Sequence, residues 1–223
     1  MVLKLKVEED KNFNATGYFI DTKSKEVIAT GSSPINDYLS LNYKGDRYVF
    51  STRPHLINEM DLNLKYPRSS KSKRNVGFYV LKDDEKFCIT YQEAVTVGKR
   101  FIFKRGFQFE VFEYNGEPYM VYTAGPKGEA DHYYCIYNNN GETIGIIQRH
   151  SYFKDGCKAT IYFEDESLML LMLLISARTL MWFFGSTEET RKDASAGGYY
   201  SMLKEEAEML DKGFLRRFKI NKC

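Results

Sequence analysis

The chain has 223 residues, enough for one large β domain or two small ones. Hydrophobic residues make up 43% and charged residues 28%, as in ordinary soluble proteins, and the net charge of +2 gives no overall attraction to nucleic acid. The four cysteines form no CxxC pair, so the sequence predicts neither a zinc site nor a disulfide framework. The first residues, MVLKLKVEEDK, contain no apolar signal region, which favours a cytoplasmic protein.

Short segments rich in β-branched and aromatic residues recur along the chain and predict an all-β sandwich or barrel. Their alternation indicates one apolar face per strand: Phe107, Phe109 and Val111 point one way, while Gln108 and Glu110 point the other. The predicted strands are Val2–Val7, Gly17–Ile20, Glu26–Thr30, Tyr38–Asn42, Arg47–Ser51, Val76–Leu81, Lys86–Tyr91, Lys99–Lys104, Phe107–Tyr114, Pro118–Thr123, His132–Tyr137, Thr143–Arg149 and Lys158–Phe163.

The turns of the second half indicate an antiparallel meander. Asn115-Gly116, Asn140-Gly141 and Asp155-Gly156 are dipeptides that take the positive φ required by type I′ hairpin turns. Between the two halves, residues 66–75 (YPRSSKSKRN) contain four basic residues and no acid, which predicts an exposed loop and not a domain boundary.

The run from Ser167 to Phe184, SLMLLMLLISARTLMWFF, is almost wholly apolar and has two interpretations. A membrane anchor over residues 168–184 is one of them, but a spanning helix needs about 20 predominantly apolar residues. Here the uncharged run from Ser167 to Ala177 has 11 residues, and Arg178 follows it. The other interpretation is a helix over residues 166–184 that fills a barrel too wide for side chains alone, with Arg178 near a barrel mouth or paired with an acid.

The second interpretation is the one the sequence favours. It predicts a mainly β domain over residues 1–184, in which roughly 12 antiparallel strands close into a barrel around a central helix. Residues 185–223 are predicted to form a helical C-terminal extension that packs on the barrel or mediates self-association. Within it, Ser186 and Glu189 have the spacing of a capping box, and a helix over Tyr199–Lys212 is predicted to end at Gly213.

This plan resembles the tubby C-terminal-like superfamily, which includes tubby proteins, plant LURP-one-related proteins and phospholipid scramblases. The resemblance covers roughly residues 13–184. It lies in ATIYFEDE leading directly into the apolar run, and in the strand–turn–strand units FEVFEYNGEPYMVYTAG and YYCIYNNNGETIGIIQR. It implies the fold alone, since no segment matches the scramblases' calcium-binding stretch or the tubby phosphoinositide signature.

No constellation of catalytic or metal-ligating residues is visible in the sequence. His55, His132 and His150 occur singly, which is more typical of surface or turn positions than of a metal site. Cys88 and Cys135 fall within predicted strands as small apolar groups, and Cys157 follows a turn as a candidate exposed thiol. We therefore expect no cofactor and no enzymatic activity, although a site assembled from distant residues stays an open alternative.

The best candidate for binding is the basic loop, in which five positive charges fall within the ten residues 65–74. Such clusters attract anionic lipid headgroups at about 1 kcal/mol per residue near the surface, but they also occur as solvated loops. The sequence thus favours a non-enzymatic binding or scaffold protein of the cytoplasm, at times peripheral to the membrane, with phospholipid or protein as partner. Nucleic acid is not expected. The candidate binding residues are Lys65, Arg68, Lys71, Lys73 and Arg74, and Lys99, Arg100, Lys104 and Arg105 extend the basic surface if they lie on the same side.

Overall fold

The computed structural model describes residues 1–12, 14–34, 38–58, 60–69, 76–100, 103–125, 131–150, 157–180 and 203–220. These residues form 13 strands and three α-helices, α1 to α3. The strands are β1 (Val2–Glu9), β2 (Ala15–Asp21), β3 (Val27–Ser33), β4 (Ser40–Tyr43), β5 (Asp46–Phe50), β6 (His55–Leu56), β7 (Val76–Lys82), β8 (Glu85–Arg100), β9 (Phe103–Tyr114), β10 (Glu117–Ala124), β11 (His132–Tyr137), β12 (Thr143–Arg149) and β13 (Cys157–Phe163). The helices are α1 (Met169–Leu180), α2 (Lys204–Ala207) and α3 (Lys212–Ile220), and a 3₁₀ turn, Glu166–Leu168, precedes α1.

Twelve of these strands close into an antiparallel barrel. Neighbouring strands pair in the order β5-β4-β3-β2-β1-β13-β12-β11-β10-β9-β8-β7, and pairing of β5 with β7 closes the ring. The remaining strand, β6, lies outside the ring and pairs with the start of β7, where Leu56 faces Val76. The predicted mainly β fold with a closed barrel of roughly 12 strands is therefore confirmed. Closure leaves the ring without an unpaired edge.

Two strand predictions need correction. Lys99–Lys104 is not a separate strand, because β8 runs to Arg100 and β9 begins at Phe103. Gly106 is the reason that β9 continues through this region: a Cβ there would lie 2.0 Å from the Val95 carbonyl oxygen, so only glycine permits this approach of β8. The two-residue strand β6 was not predicted.

The turns agree in part with the prediction. Asn115 and Gly116 have φ of 53° and 79°, as a type I′ turn requires. Gly141 has φ of 80°, but Asn140 is not among the described residues with positive φ, so that turn is not type I′. Instead, the Asn138 side chain accepts hydrogen bonds from the backbone N–H groups of Asn140 and Glu142, at 3.0 and 2.9 Å. Asp155-Gly156 lies outside the described residues.

The apolar helix α1 belongs to the main buried cluster. Residues 171–177 of this helix have no exposed surface, and every strand of the ring contributes at least one residue to the cluster that contains them. The helix also approaches β12 closely, since a Cβ at Gly145 would lie 2.5 Å from the terminal methyl of Met172. Two hydroxyl groups in this apolar region are satisfied within the helix: Ser176 donates to the Met172 carbonyl at 2.7 Å and Thr179 to that of Ile175 at 2.8 Å.

Arg178, in the last turn of α1, pairs with an acid, as the sequence predicted. Its Nε lies 3.1 Å from Oε1 of Glu110 on β9, and Thr90 of β8 donates to the same oxygen at 2.7 Å. The guanidinium also stands 5.6 Å from the ring centre of Phe78. No helix within the described ranges is long and apolar enough to cross a membrane. The predicted helix end at residues 181–184 lies outside the described part of the chain.

Two segments cover the outer face of the barrel from β8 to β13. Residues 57–66 place Ile57, Leu62, Leu64 and Tyr66 on a cluster of outward side chains that includes Phe107, Phe109 and Tyr122. The C-terminal segment 203–218 continues this cover. Its apolar residues contact that cluster and a second one formed by Tyr133, Cys135, Ile146 and Tyr162; they are Leu203, Met209, Leu210, Phe214, Leu215 and Phe218.

The helices of the C-terminal segment differ from the prediction. Gly213 does not end a helix but is the second residue of α3, and a turn and Asp211 separate α3 from the short α2. Asp211 is the reason for the new boundary, because its Oδ1 accepts the backbone N–H of Phe214 at 2.9 Å and thereby caps α3. Tyr137 fixes the segment to the barrel by donating to the Met209 carbonyl at 2.6 Å. The predicted capping box at residues 186–189 lies outside the described residues.

Candidate functional site

The two basic segments of the sequence lie towards the same end of the barrel but at different levels of β8: Arg68 is bridged to Val95 and Gly77 pairs with Tyr91, whereas residues 99–105 lie at the tip of the β8–β9 hairpin. Residues 70–75 lie directly before β7, and the basic residues 99–105 span the end of β8 and the start of β9. Because β7, β8 and β9 are consecutive antiparallel neighbours, the start of β7, the end of β8 and the start of β9 lie at the same end. We call this the basic end. Among the basic residues 99–105, side-chain burial is described for Arg105, and that side chain is exposed.

The basic loop is fixed to the barrel on both sides. Before it, the Ser69 N–H donates to the Ala94 carbonyl at 2.7 Å, and the Thr96 N–H donates to the Pro67 carbonyl at 2.8 Å. After it, Gly77 pairs with Tyr91 on the same strand β8. The predicted ligands Lys71, Lys73 and Arg74 lie outside the described residues, but the points where their loop leaves and rejoins the barrel are defined.

Arg68 has a structural contact in addition to its predicted binding role. Its Nε lies 3.6 Å from Oε2 of Glu93, whose side chain is fully buried, and its Nη2 donates to the Met60 carbonyl at 3.0 Å. A buried carboxylate needs such a cation, because an unpaired charge in the interior is costly. The Arg68 side chain is still 28% exposed. This ion pair could not be predicted from the sequence, because Glu93 lies 25 residues further along the chain.

Lys65 stands beside a surface pocket. The pocket has a volume of about 530 Å³ and is lined by residues 61, 62 and 64–68. The Lys65 ammonium lies 5.5 Å from the ring centre of Tyr66, within the range of a cation–π contact. Asp61 also lines the pocket, so its chemistry is mixed and not purely cationic.

Three exposed acids of this end lie on the far side of the ring, whereas Asp61, Glu93 and Asp131 lie nearer the basic strands. The last two residues of β1, Glu8 and Glu9, and the following Asp10 are exposed. β1 and β8 terminate at the same end of the barrel. In the strand order, β1 is six strands from β8 in either direction, so the two are opposite. Asp10 is engaged in its own turn, where hydrogen bonds from Asn14 and then Asn12 lower the pKa of its carboxyl group. The acids of β1 are therefore separated from the basic segments by the width of the ring.

A hydrogen-bonded relay on the outer face was missed by the sequence analysis. His150 Nδ1 lies 3.3 Å from Oδ2 of Asp131, and His150 Nε2 lies 2.9 Å from the hydroxyl of Thr160. Gln148 donates to the same aspartate oxygen at 2.6 Å. The arrangement resembles an acid–base–hydroxyl series, but the Thr160 residue is only 7% exposed and sits within the ladder of β13. The hydroxyl is hydrogen-bonded and largely covered, which favours a structural network.

The cysteines agree with a packing role. Cys88 and Cys135 are buried, as predicted, and burial raises the pKa of each thiol to about 12. Cys157 was predicted to be exposed but is half-buried; its thiol lies 3.4 Å from the Ala159 carbonyl, and burial raises its pKa. Thiols with raised pKa values are poor nucleophiles. Within the described ranges, no group of three or more His, Cys, Asp or Glu residues is placed to hold a metal ion.

Comparison of the chain with models of known protein families, with curated proteins and with solved structures finds no match. The geometry of the basic end is therefore the basis of the function proposed below.

Proposed function

We propose that the protein is a non-enzymatic binding protein that places its basic end against phosphorylated, anionic lipid headgroups. One observation carries this proposal: two basic segments 25 or more residues apart in the sequence, 65–74 and 99–105, are brought to neighbouring strands at one end of the barrel. The exposed acids Glu8, Glu9 and Asp10 of that end lie on the opposite side of the ring. The protein acts in the cytoplasm and at the membrane surface; nucleic acid is not part of the proposal.

Electrostatic attraction supplies the physical reason. Residues 65–74 and 99–105 contain nine basic residues and no acid. Each Lys or Arg near an anionic surface contributes about 1 kcal/mol, an effect that salt weakens. With Arg68 partly committed to Glu93, the main contribution is expected from Lys71, Lys73, Arg74 and the residues around the β8–β9 turn.

The scaffold for this surface is, we propose, a tubby-like barrel with α1 along its interior. The support is that residues 171–177 are completely buried in a cluster to which all twelve strands of the ring contribute. A helix on the outside of a ring contacts a few neighbouring strands only. On this proposal Leu171→Asp unfolds the domain, because the charge has no solvent or partner. Retained β structure in circular dichroism, with an unchanged unfolding midpoint, would remove the axial helix and with it the likeness to the tubby plan.

Vesicle sedimentation tests the lipid function. The full chain is mixed at low salt with vesicles of phosphatidylcholine alone, of phosphatidylcholine with phosphatidylserine, and of phosphatidylcholine with a phosphoinositide at equal total charge. We expect binding to both anionic preparations, stronger for the phosphoinositide, and none to the neutral one. Equal sedimentation with neutral and phosphoinositide vesicles would overturn the proposal.

A matched pair of variants locates the binding surface. Lys71→Gln, Lys73→Gln and Arg74→Gln together remove three charges and are expected to weaken binding on the order of 100-fold at low salt. The control removes three charges at the other end of the barrel, through Lys23→Gln, Lys44→Gln and Lys86→Gln, and is expected to change binding little. Equal losses in the two variants would indicate that net charge, and not the basic end, determines binding. Capture of an acidic protein without any lipid dependence would assign the same surface to a protein partner.

A further inference from the structure

The exposed apolar side chains of the barrel are distributed unequally between its two ends. Among the described residues, the large hydrophobic side chains that are exposed are Val27 at 52%, Tyr38 at 49%, Leu56 at 79% and Val76 at 39%. Val27 begins β3 at the end opposite the basic end. The other three lie at the basic end: Tyr38 precedes β4, Leu56 belongs to β6, and Val76 begins β7.

The pairing of strands brings these residues together with the basic loop. Leu56 is directly opposite Val76 in the β6–β7 ladder, and Val76 follows the last residue of the loop 70–75. Tyr38 lies beside the end of β5, because the Phe50 N–H donates to the carbonyl of Leu39 at 2.8 Å. The chain between β5 and β6 adds the exposed Arg53. Exposed apolar residues and the exposed Arg53 thus share one side of this end.

Leu56 takes no part in closing the barrel. It is in a two-residue strand outside the closed ring, and 79% of its surface meets water. An apolar side chain so placed gains nothing from folding, but it gains on transfer into the acyl boundary of a bilayer. Tyrosine is a residue type that settles at the membrane interface, and basic residues bind the headgroups around such an insertion.

We propose that Leu56 and Val76, with Tyr38 beside them, insert into the outer part of a bilayer while the surrounding basic residues bind its anionic headgroups. This inference rests on the proposed lipid function and adds to it a contact that does not depend on charge. The basic residues attract the protein to the surface, and the apolar residues hold it there at shallow depth. A bilayer is the occupant that this mixture favours, because a second copy of the chain would bring the same positive charges together.

Salt dependence separates the two contributions. Wild-type protein, Leu56→Asn and Val27→Asn are each titrated with vesicles of phosphatidylcholine and phosphatidylserine, at low salt and in about 1 M NaCl, where the screening length is about 3 Å. We expect Leu56→Asn to bind about tenfold more weakly than wild type and to lose the residual binding in high salt. The control Val27→Asn removes another exposed apolar residue, 52% exposed, from the opposite end and is expected to bind like wild type.

The possible results distinguish failure of this inference from failure of the lipid function. If wild type binds anionic vesicles and Leu56→Asn binds equally well at both salt concentrations, the insertion is overturned while the headgroup proposal stands. If wild type binds no anionic vesicle, both are overturned. If Leu56→Asn abolishes a dimer seen by sedimentation without vesicles, the apolar residues contact a second copy and the insertion is overturned. Unchanged thermal unfolding of Leu56→Asn confirms that the comparison concerns folded protein.

Discussion

The outer face of the barrel differs between its two halves, although the inner face is largely apolar in both. From β8 to β13 the outward side chains are largely aromatic or aliphatic, among them Tyr91, Phe109, Met120 and Tyr162, and they are buried beneath residues 57–66 and 203–218. From β1 to β7 they include Lys4, Lys6, Thr16, Thr30 and Arg47, and the described cover segments do not extend over them. One half of the ring is therefore the middle of three layers, and the other half is itself the surface.

This difference shows how a binding surface can be built without weakening the barrel. The segment 57–69 follows β6, packs on the covered half, and runs along β8 before the basic loop begins. The basic loop is thus attached to an outer layer, the segment 57–69. This layer is not one of the strands whose pairing closes the ring. Substitutions that separate this outer layer from the ring test whether the distinction is energetic as well as geometric.

Removal of the C-terminal cover is expected to have the largest effect. Deleting residues 203–223 exposes the outer face of β10 to β13 and loses the burial of Met209, Leu210, Phe214 and Leu215. At about 1.5 to 3 kcal/mol for each buried side chain, we expect a loss on the order of 5 kcal/mol in the free energy of unfolding. Urea denaturation measures it, with deletion of residues 221–223 as control. An unchanged midpoint would mean that the segment does not stabilise the ring.

A pair of aromatic truncations compares the halves directly. Phe109 points outward on β9, is 4% exposed and lies 4.7 Å from Tyr122 between ring centres, so Phe109→Ala should cost about 3 to 5 kcal/mol, as in a protein core. Tyr18 points outward on β2 in the uncovered half and is only half-buried. Tyr18→Ala should cost about 1 kcal/mol. Similar losses in the two variants would contradict the division into covered and uncovered halves.

Ion pairs offer the same comparison for charged groups. Arg68→Met removes the cation beside the buried Glu93 under the cover and should cost about 3 kcal/mol. Adding Glu93→Leu to this variant should recover most of that loss, since no buried charge then remains. Lys82→Met breaks a pair with Asp46 whose side chains are 33% and 42% exposed, and should cost less than about 1 kcal/mol. Urea denaturation of the three variants and the wild type measures these losses, and a larger loss for Lys82→Met would contradict our account.

The smallest expected effect concerns the hydrogen bond between Tyr137 and the C-terminal segment. Tyr137→Phe loses the bond to the Met209 carbonyl and should cost about 1 kcal/mol at pH 7. Burial raises the pKa of Tyr137 to about 12, against 10.0 for the unperturbed group. The neutral form is therefore the one that the fold favours, and its contribution is complete below pH 10 and lost as pH rises towards 12. Urea denaturation at pH 7 and pH 11 should show the two proteins converging at high pH, and a growing gap would refute this.

The sequence predicted those features that depend on neighbouring residues. Alternation in Phe107–Tyr114 separated two faces but did not show which one is inside: the apolar Phe107, Phe109 and Val111 point outward, and Glu110 points inward to Arg178. Asn115-Gly116 identified a type I′ turn, and an acidic partner was one of the two placements predicted for Arg178. These follow from periodicity, backbone conformation and the cost of an unpaired buried charge.

Features that depend on distant residues were not predictable. Outward aromatic residues on β9 and β10 do not reveal which segment covers them, and Glu93 inside a strand does not reveal that Arg68 will neutralise it. Two strands were predicted over Lys99–Lys104 and Phe107–Tyr114, whereas the missing Cβ of Gly106 lets β9 continue beside β8. For the candidate site, the sequence identified the basic loop by composition. The position of this loop relative to residues 99–105 and to the exposed Leu56 depends on strand register, which only the structure provides.

The most direct test of the account is amide hydrogen exchange of the full chain with and without phosphoinositide vesicles. We expect exchange to slow in residues 51–56, 65–76 and 97–106 at the basic end. Exchange should stay unchanged in the turns of the opposite end, at residues 22–26, 44–46 and 115–117, and throughout 203–220. Slowing at the opposite end or across the C-terminal segment, or no slowing anywhere, would contradict the claim that the basic end is the lipid-binding surface.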